Sequence, residues 1–130
     1  MLALRNPHDA YRRVEFDARV AGARPDQLVG LCYEELAMAL GSAIRADELG
    51  DNQRRSAGLT RALAALTALQ LGVDRNAPGA EPLLKFYEGV RRAVLASVPS
   101  FRADRLAAIR EDVKDVARAI GSRTDASISE

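Results

Sequence analysis

The side chains able to do chemistry in this sequence are few and scattered. The single histidine, His8, lies close to the N-terminus. A metal centre in a helical bundle takes inward-facing Glu and Glu-x-x-His pairs from facing helices, which one histidine does not supply. His8 therefore reads as a solvated residue. The single cysteine, Cys32, has no partner for a disulfide and no companions for a cysteine-based zinc site. It falls on an apolar helical stripe with no histidine or basic cluster beside it, and reads as a small buried hydrophobe. Glu34-Glu35 and Glu111-Asp112 are adjacent carboxylates, and adjacent helical positions point about 100° apart. They read as solvated surface, not as an acid/base pair. Gly72 and Gly79 lack the GxxxxGK[ST] spacing of a phosphate-binding loop. Arg54-Arg55 and Arg91-Arg92 are basic doublets, but 19 Lys+Arg stand against 18 Asp+Glu, a net charge of +1. That balance argues against a nucleic-acid surface. With no catalytic constellation and no cofactor site, the sequence is not read as an enzyme.

The elements that carry these residues read as helices. The 130 residues make a single-domain length able to bury roughly two-thirds of the surface of the unfolded chain. Ala, Leu, Arg and Glu dominate, all good helix formers. Aromatic residues make up 5% and there is no Trp. No Asn-Gly or Asp-Gly turn separates alternating runs. No apolar run approaches the roughly 18 residues of a membrane span, so no membrane insertion is expected. Arg5, His8 and Asp9 interrupt any signal-peptide pattern, and the expected location is the cytoplasm.

Residues 9–20 read as a short, weak helix or arm capped by Asp9, with Tyr11, Val14, Ala18 and Ala21 on one side and Gly22 at its end. A long helix is predicted from Pro25, suited to the first helical position, to about Leu49. Its stripe is Leu28, Leu31, Cys32, Leu36, Ala39, Leu40, Ala43 and Ile44, with a kink or close packing at Gly41. The next runs from about Arg54 to Leu71, with Leu59, Ala62, Leu63, Leu66, Leu69 and Leu71 on its apolar face and Gly72 as a left-handed cap. After the loop 73–79, a helix from Ala80 or Glu81 presents Leu83, Leu84, Tyr87, Val90, Val94 and Leu95 inward, and Pro99 ends it. Ser100 caps the last helix, whose stripe is Leu106, Ile109, Val113, Val116 and Ile120. Gly121 closes it. The expected fold is all-α, an antiparallel four-helix bundle with an additional short N-terminal helix or arm. The arm occupies residues 1–24, the bundle 25–121 and a disordered tail 122–130.

What remains is that the surface does the work, through an apolar groove that receives another chain's amphipathic helix. Leu40, Ile44, Leu63, Leu66 and Tyr87, toward the edges of their stripes, are the predicted groove residues. Tyr11 and Val14, three apart on the arm, are the further candidates: the arm either covers part of the groove and moves when a partner arrives, or is anchored permanently to the bundle by Tyr11.

The order and spacing of several motifs resemble the FliS family of flagellin export chaperones. Asn6-Pro7-His8-Asp9-Ala10-Tyr11 is similar to that family's NP-x-x-AY opening. Ala23 to Val29, with Pro25 and Leu28, resembles its AxPxxL motif and runs into Leu31-Cys32-Tyr33-Glu34-Glu35, where the family usually has Leu-Tyr-Asp-Gly. Ala43, then Leu59, Ala62, Leu66, Leu69 and Val73-Asp74, follow the pattern of the next helices. Leu84, Tyr87, Arg92 and Val94 resemble the LY-x-Y-x-x-x-RL stretch, and Leu106 through Ala119 keep the spacing of the last helix. The chain departs from the pattern at Cys32, Glu34-Glu35, Gly89, Val98 and Ile120, the last falling where a Trp often stands.

The resemblance implies a cytoplasmic chaperone, monomeric or dimeric. It would bind the disordered C-terminal segment of flagellin, prevent premature polymerisation and aid delivery to the flagellar type III export apparatus. Other flagellar proteins would be further partners. The competing reading is a helical interaction module, or a chaperone for a different secreted protein.

Overall fold

The computed structural model describes residue 16 and residues 18–129. They form helices joined by turns, with no strand among the described residues. The bundle helices are α1 (Pro25–Glu48), α2 (Asn52–Leu71), α3 (Ala80–Ala96) and α4 (Ala103–Ser129). The all-α fold read from the sequence is the one found. Residues 18–21 are helical, and Gly22 ends that stretch with its N–H on the Ala18 carbonyl at 3.2 Å.

Helix length and loop length together set the topology. The 24 residues of α1 span about 36 Å, and the three-residue connection to α2 cannot return that far, since each residue adds at most about 3.6 Å. The chain therefore doubles back. Helix α1 packs against α2 and α4, and α3 packs against the same two, so α1 and α3 face each other across the diagonal. Val29 near the start of α1, Leu69 near the end of α2, Leu83 near the start of α3 and Val116 on the later half of α4 line one cavity. That grouping is the mark of an up-down-up-down bundle.

The first corner shows how the sequence turns the chain. Gly50, at φ +69°, takes the left-handed conformation that costs glycine little. The Gly50 N–H meets the Asp47 carbonyl at 3.1 Å and the Asp51 N–H meets the Ala46 carbonyl at 2.8 Å, the paired closure of a Schellman motif. Asp51 then starts the next helix, its carboxylate accepting from the Arg54 N–H at 3.0 Å. This cap begins α2 at Asn52, earlier than the expected Arg54. Gly72, expected to be left-handed, has φ −82° and ψ −6°, because the Gly72 N–H closes back on the Ala68 carbonyl at 3.1 Å in a right-handed turn.

Three further boundaries differ from the sequence reading. Helix α3 ends at Ala96, short of Pro99, because a proline disfavours helical geometry in the residue before it. Helix α4 starts at Ala103, not directly after Ser100, with the Arg102 carbonyl accepting from the Leu106 N–H at 3.0 Å. It passes through Gly121 and continues to Ser129, where the sequence reading placed a disordered tail from 122. Helical glycine costs about 1 kcal/mol, too little to stop a helix by itself.

The core is built from Leu36, Ala39, Leu40 and Ala43 of α1, Leu59, Ala62, Leu66 and Leu69 of α2, Tyr87, Val90 and Val94 of α3, and Leu106 and Val113 of α4. Gly58 lets α1 and α2 meet closely, since a Cβ there would lie 3.0 Å from the Ala39 carbonyl oxygen. Gly41 makes room for a different partner. Arg110 of α4 passes over it and donates from Nε to the Ala37 carbonyl at 3.0 Å, and a Cβ at Gly41 would lie 3.1 Å from that Nε. The close packing expected at Gly41 is thus a guanidinium seat.

Candidate functional site

The two ends of the bundle are built differently. At one end Arg55 of α2 holds three parts of the chain together. Its guanidinium donates to Asp47 of α1 at 3.0 Å and stands over the Phe101 ring, before α4, at 5.4 Å from the centroid. At the other end the helices spread around a groove of about 640 Å³.

The 72–79 turn frames that groove. The Asp74 carboxylate accepts from the Asn76 N–H at 3.0 Å, and the Asp74 carbonyl accepts from the Ala77 N–H at 3.0 Å. Such a side-chain-to-backbone bond tightens a turn. Gly79, at φ +83°, then redirects the chain into α3, where the Gly79 carbonyl receives the Leu83 N–H at 3.3 Å. Glu81 in the first turn suits the positive end of the helix.

The groove's lining is mostly apolar. Val29 comes from α1 and Leu69 from α2, Val73 and Pro78 from the turn, Leu83, Phe86 and Tyr87 from α3, and Val116, Ala119 and Ile120 from α4. Among the described residues, Asp74 supplies the one charged side chain on its wall. Leu83, Phe86 and Tyr87 stand at i, i+3 and i+4, the spacing of one helix face. Val116 and Ile120 stand four apart on the facing helix.

Tyr87 forms the groove's buried floor. Its ring stands 6.1 Å from that of Phe86 and 6.1 Å from that of Tyr33, both tilted. The hydroxyls of Tyr33 and Tyr87 lie 2.5 Å apart, one donating to the other, at 2% and 1% residue exposure. Burial pushes both phenols above their ordinary value, and for Tyr33 the Tyr87 hydroxyl adds to the rise. Both are neutral at any physiological pH.

The predicted groove residues divide. Tyr87 lines the groove. Leu40 and Leu66 are fully buried in the core and offer a partner no surface, because the centre of each stripe, not its edge, falls at these positions. Leu63 and Ile44 are partly buried against the core. Ile44 borders a second, more polar groove between α1 and α4, with Met38, Arg45, Arg110 and Glu111 around it. Tyr11 and Val14 lie outside the described residues. The described part of the arm meets α1, where Phe16 borders a small gap with Leu31 and Met38 and Arg19 pairs with Glu34 at 3.2 Å. That exposed pair contributes little.

Sequence reasoning missed Phe86, Val116 and Ile120 as groove residues. A usable signal was the unusually broad apolar arc at the start of α3, where Pro82, Leu83, Leu84, Phe86 and Tyr87 exceed what one core-facing stripe needs. Glu35, read as solvated, is instead mostly buried. Arg61 grips it with Nε at 3.2 Å and Nη2 at 2.7 Å, a two-pronged pair joining α1 to α2. Arg91, read as part of a basic doublet, reaches back to α2 and donates to Gln70 at 2.6 Å and Thr67 at 2.8 Å.

What the groove offers a partner is an apolar surface to bury against. The Cys32 thiol is half-buried, and burial followed by the nearby Glu35 charge pushes its pKa up, which makes it a poorer nucleophile at neutral pH. Among the described residues no group of three His, Cys, Asp or Glu side chains is placed to hold a metal ion. No helix of the described residues is long and apolar enough to cross a membrane.

Two comparisons with known proteins bear on this arrangement. No curated protein matches the chain. The family model described as flagellar protein FliS matches residues 7–121, nearly the whole length. The chain belongs to the FliS family, whose members act as chaperones in building the flagellum.

Proposed function

We propose that the groove between α3 and α4 receives the C-terminal segment of flagellin before export. The observation that carries this reading is a wall of Leu83, Phe86, Tyr87, Val116 and Ile120 with one carboxylate at its edge, in a chain of the FliS family. Flagellin's terminal segment is disordered until it buries its apolar stripe against other subunits. A chaperone groove occupies that stripe first and so prevents premature polymerisation. Ordering a disordered segment costs several kcal/mol, so the contact has to be extended and apolar. The complex would form in the cytoplasm and be handed to the flagellar type III export apparatus. It makes and breaks no covalent bond, so the chain is not an enzyme in this reading.

Tyr11 and Val14 are proposed to lie over part of the groove in the free protein and to yield to the client. Of the other predicted groove residues, Ile44 borders the separate groove between α1 and α4, Leu63 would contribute only an exposed edge, and Leu40 and Leu66 belong to the core. Titration with intact and C-terminally truncated flagellin tests the reading. Binding of the intact protein and loss of binding on truncation are expected; equal binding of both would overturn it. Hydrogen exchange at residues 9–20 should rise when a flagellin C-terminal peptide is added, and unchanged protection there would remove the arm's displacement.

A further inference from the structure

We infer that Tyr33 is a positioning residue for the groove, its hydroxyl holding the Tyr87 ring in place as the groove floor. Helices α1 and α3 are diagonal in the bundle and their backbones do not approach each other. The hydroxyl pair at 2.5 Å is therefore a strut thrown across the core by two long, stiff side chains. Its two ends are not equivalent. Tyr87 lines the groove and Tyr33 does not. Each phenol has its hydroxyl buried, and a buried hydroxyl without a partner turns toward the nearest water. For Tyr87 that water is in the groove. Without Tyr33 its ring swings outward, fills part of the groove and places a polar oxygen on an apolar wall. For Tyr33 the orphaned hydroxyl lies on the far side of Tyr87, and the groove surface keeps its shape.

This inference rests on the proposed function for the identity of the client, but not for the asymmetry. The test uses Tyr33→Phe, Tyr87→Phe and the double variant, each checked for native helicity and cooperative melting. Two probes are titrated: a flagellin C-terminal peptide, and anilinonaphthalene sulfonate, an apolar dye that reports the groove whatever its natural client. Tyr33→Phe is expected to weaken both by about fivefold to tenfold, the size of one net hydrogen bond. Tyr87→Phe alters the groove floor itself but leaves no orphaned hydroxyl facing the groove, so it should weaken both probes less than Tyr33→Phe does, although its melting temperature falls as well. The double variant, with neither hydroxyl left to orphan, should recover binding. The difference in near-ultraviolet absorbance between Tyr33→Phe and the double variant isolates Tyr87, and should show a water-exposed phenol. A purely structural pair predicts equal behaviour of the two single variants. That equality, wild-type binding by Tyr33→Phe, or a weak double variant would each overturn the inference. If wild type ignores the peptide while the dye pattern holds, the proposed client is wrong and the positioning role of Tyr33 stands.

Discussion

Gly58 and Ala43 stand so close that a Cβ on Gly58 would lie 3.0 Å from the Ala43 Cβ and 3.0 Å from the Ala43 nitrogen. Nothing but backbone and one methyl separates α1 from α2 at that level. Replacing helical glycine by alanine ordinarily gains about 1 kcal/mol. Here the neighbours that must yield are main-chain atoms of another helix. Gly58→Ala is expected to lose about 1–3 kcal/mol through overpacking, read as a lower urea midpoint with an unchanged slope. Gly89, where an added Cβ meets nothing within 4 Å, is the control, and Gly89→Ala should stabilise. A stabilised Gly58→Ala would show that the seam is looser than described.

Glu35 and Arg61 make the second seam contact, with side chains 15% and 13% exposed. Removing one partner leaves the other charge with little water. Arg61→Met is expected to cost about 2 kcal/mol, below the roughly 3–5 kcal/mol of a fully buried pair because some solvent reaches it. Arg61→Met combined with Glu35→Leu should recover most of that loss. The Cys32 thiol supplies an independent readout. The Glu35 charge is the second cause of its raised pKa, so Glu35→Leu should speed alkylation of Cys32 by iodoacetamide at mildly alkaline pH. An unchanged rate would show that burial alone sets the thiol.

The helices were legible because their core positions recur at three and four residues, as Leu106, Ile109, Val113, Val116 and Ile120 do. What could not be read was which part of a stripe faces a gap. Leu66 and Leu83 both occupy apolar faces, yet one is sealed and the other lines the groove. That difference is set by how far neighbouring helices diverge, which no local pattern records. The glycine turns were half legible. Gly50 and Gly72 both follow a helix, but only Gly50 has a positive φ, because the chain must reverse within three residues there. The Tyr33–Tyr87 bond joins positions 54 residues apart, and neither tyrosine's own neighbourhood points to the other.

The groove itself yields a direct expectation. Leu83 is partly exposed on the groove wall, so a carboxylate there can reach water without unfolding the bundle. Leu83→Glu should retain helicity and melt within a few degrees of wild type. Its affinity for a flagellin C-terminal peptide should fall at least about tenfold, since an apolar partner would have to desolvate a charge. The matched control is Leu71→Glu. Leu71 is 82% exposed and stands one residue before the groove-lining turn. Equal losses from both substitutions would point to non-specific electrostatics instead of groove occupancy.

The buried phenol pair also predicts how stability falls in alkali. Both hydroxyls have folded-state pKa values raised above 10.0, and unfolded tyrosine titrates near about 10. Below that pH both states keep their protons, and the pair's contribution is fully present. Above it the unfolded chain releases protons that the folded chain still holds, so stability is lost as pH rises. Urea midpoints measured between about pH 9 and about pH 11 should therefore decline, and the Tyr33→Phe/Tyr87→Phe variant should decline less steeply. Lysine and arginine titrations are common to both proteins and cancel in the comparison. Parallel declines would mean that the phenols ionise in the folded protein as readily as in the unfolded chain, and that their enclosure between α1 and α3 is not maintained in solution.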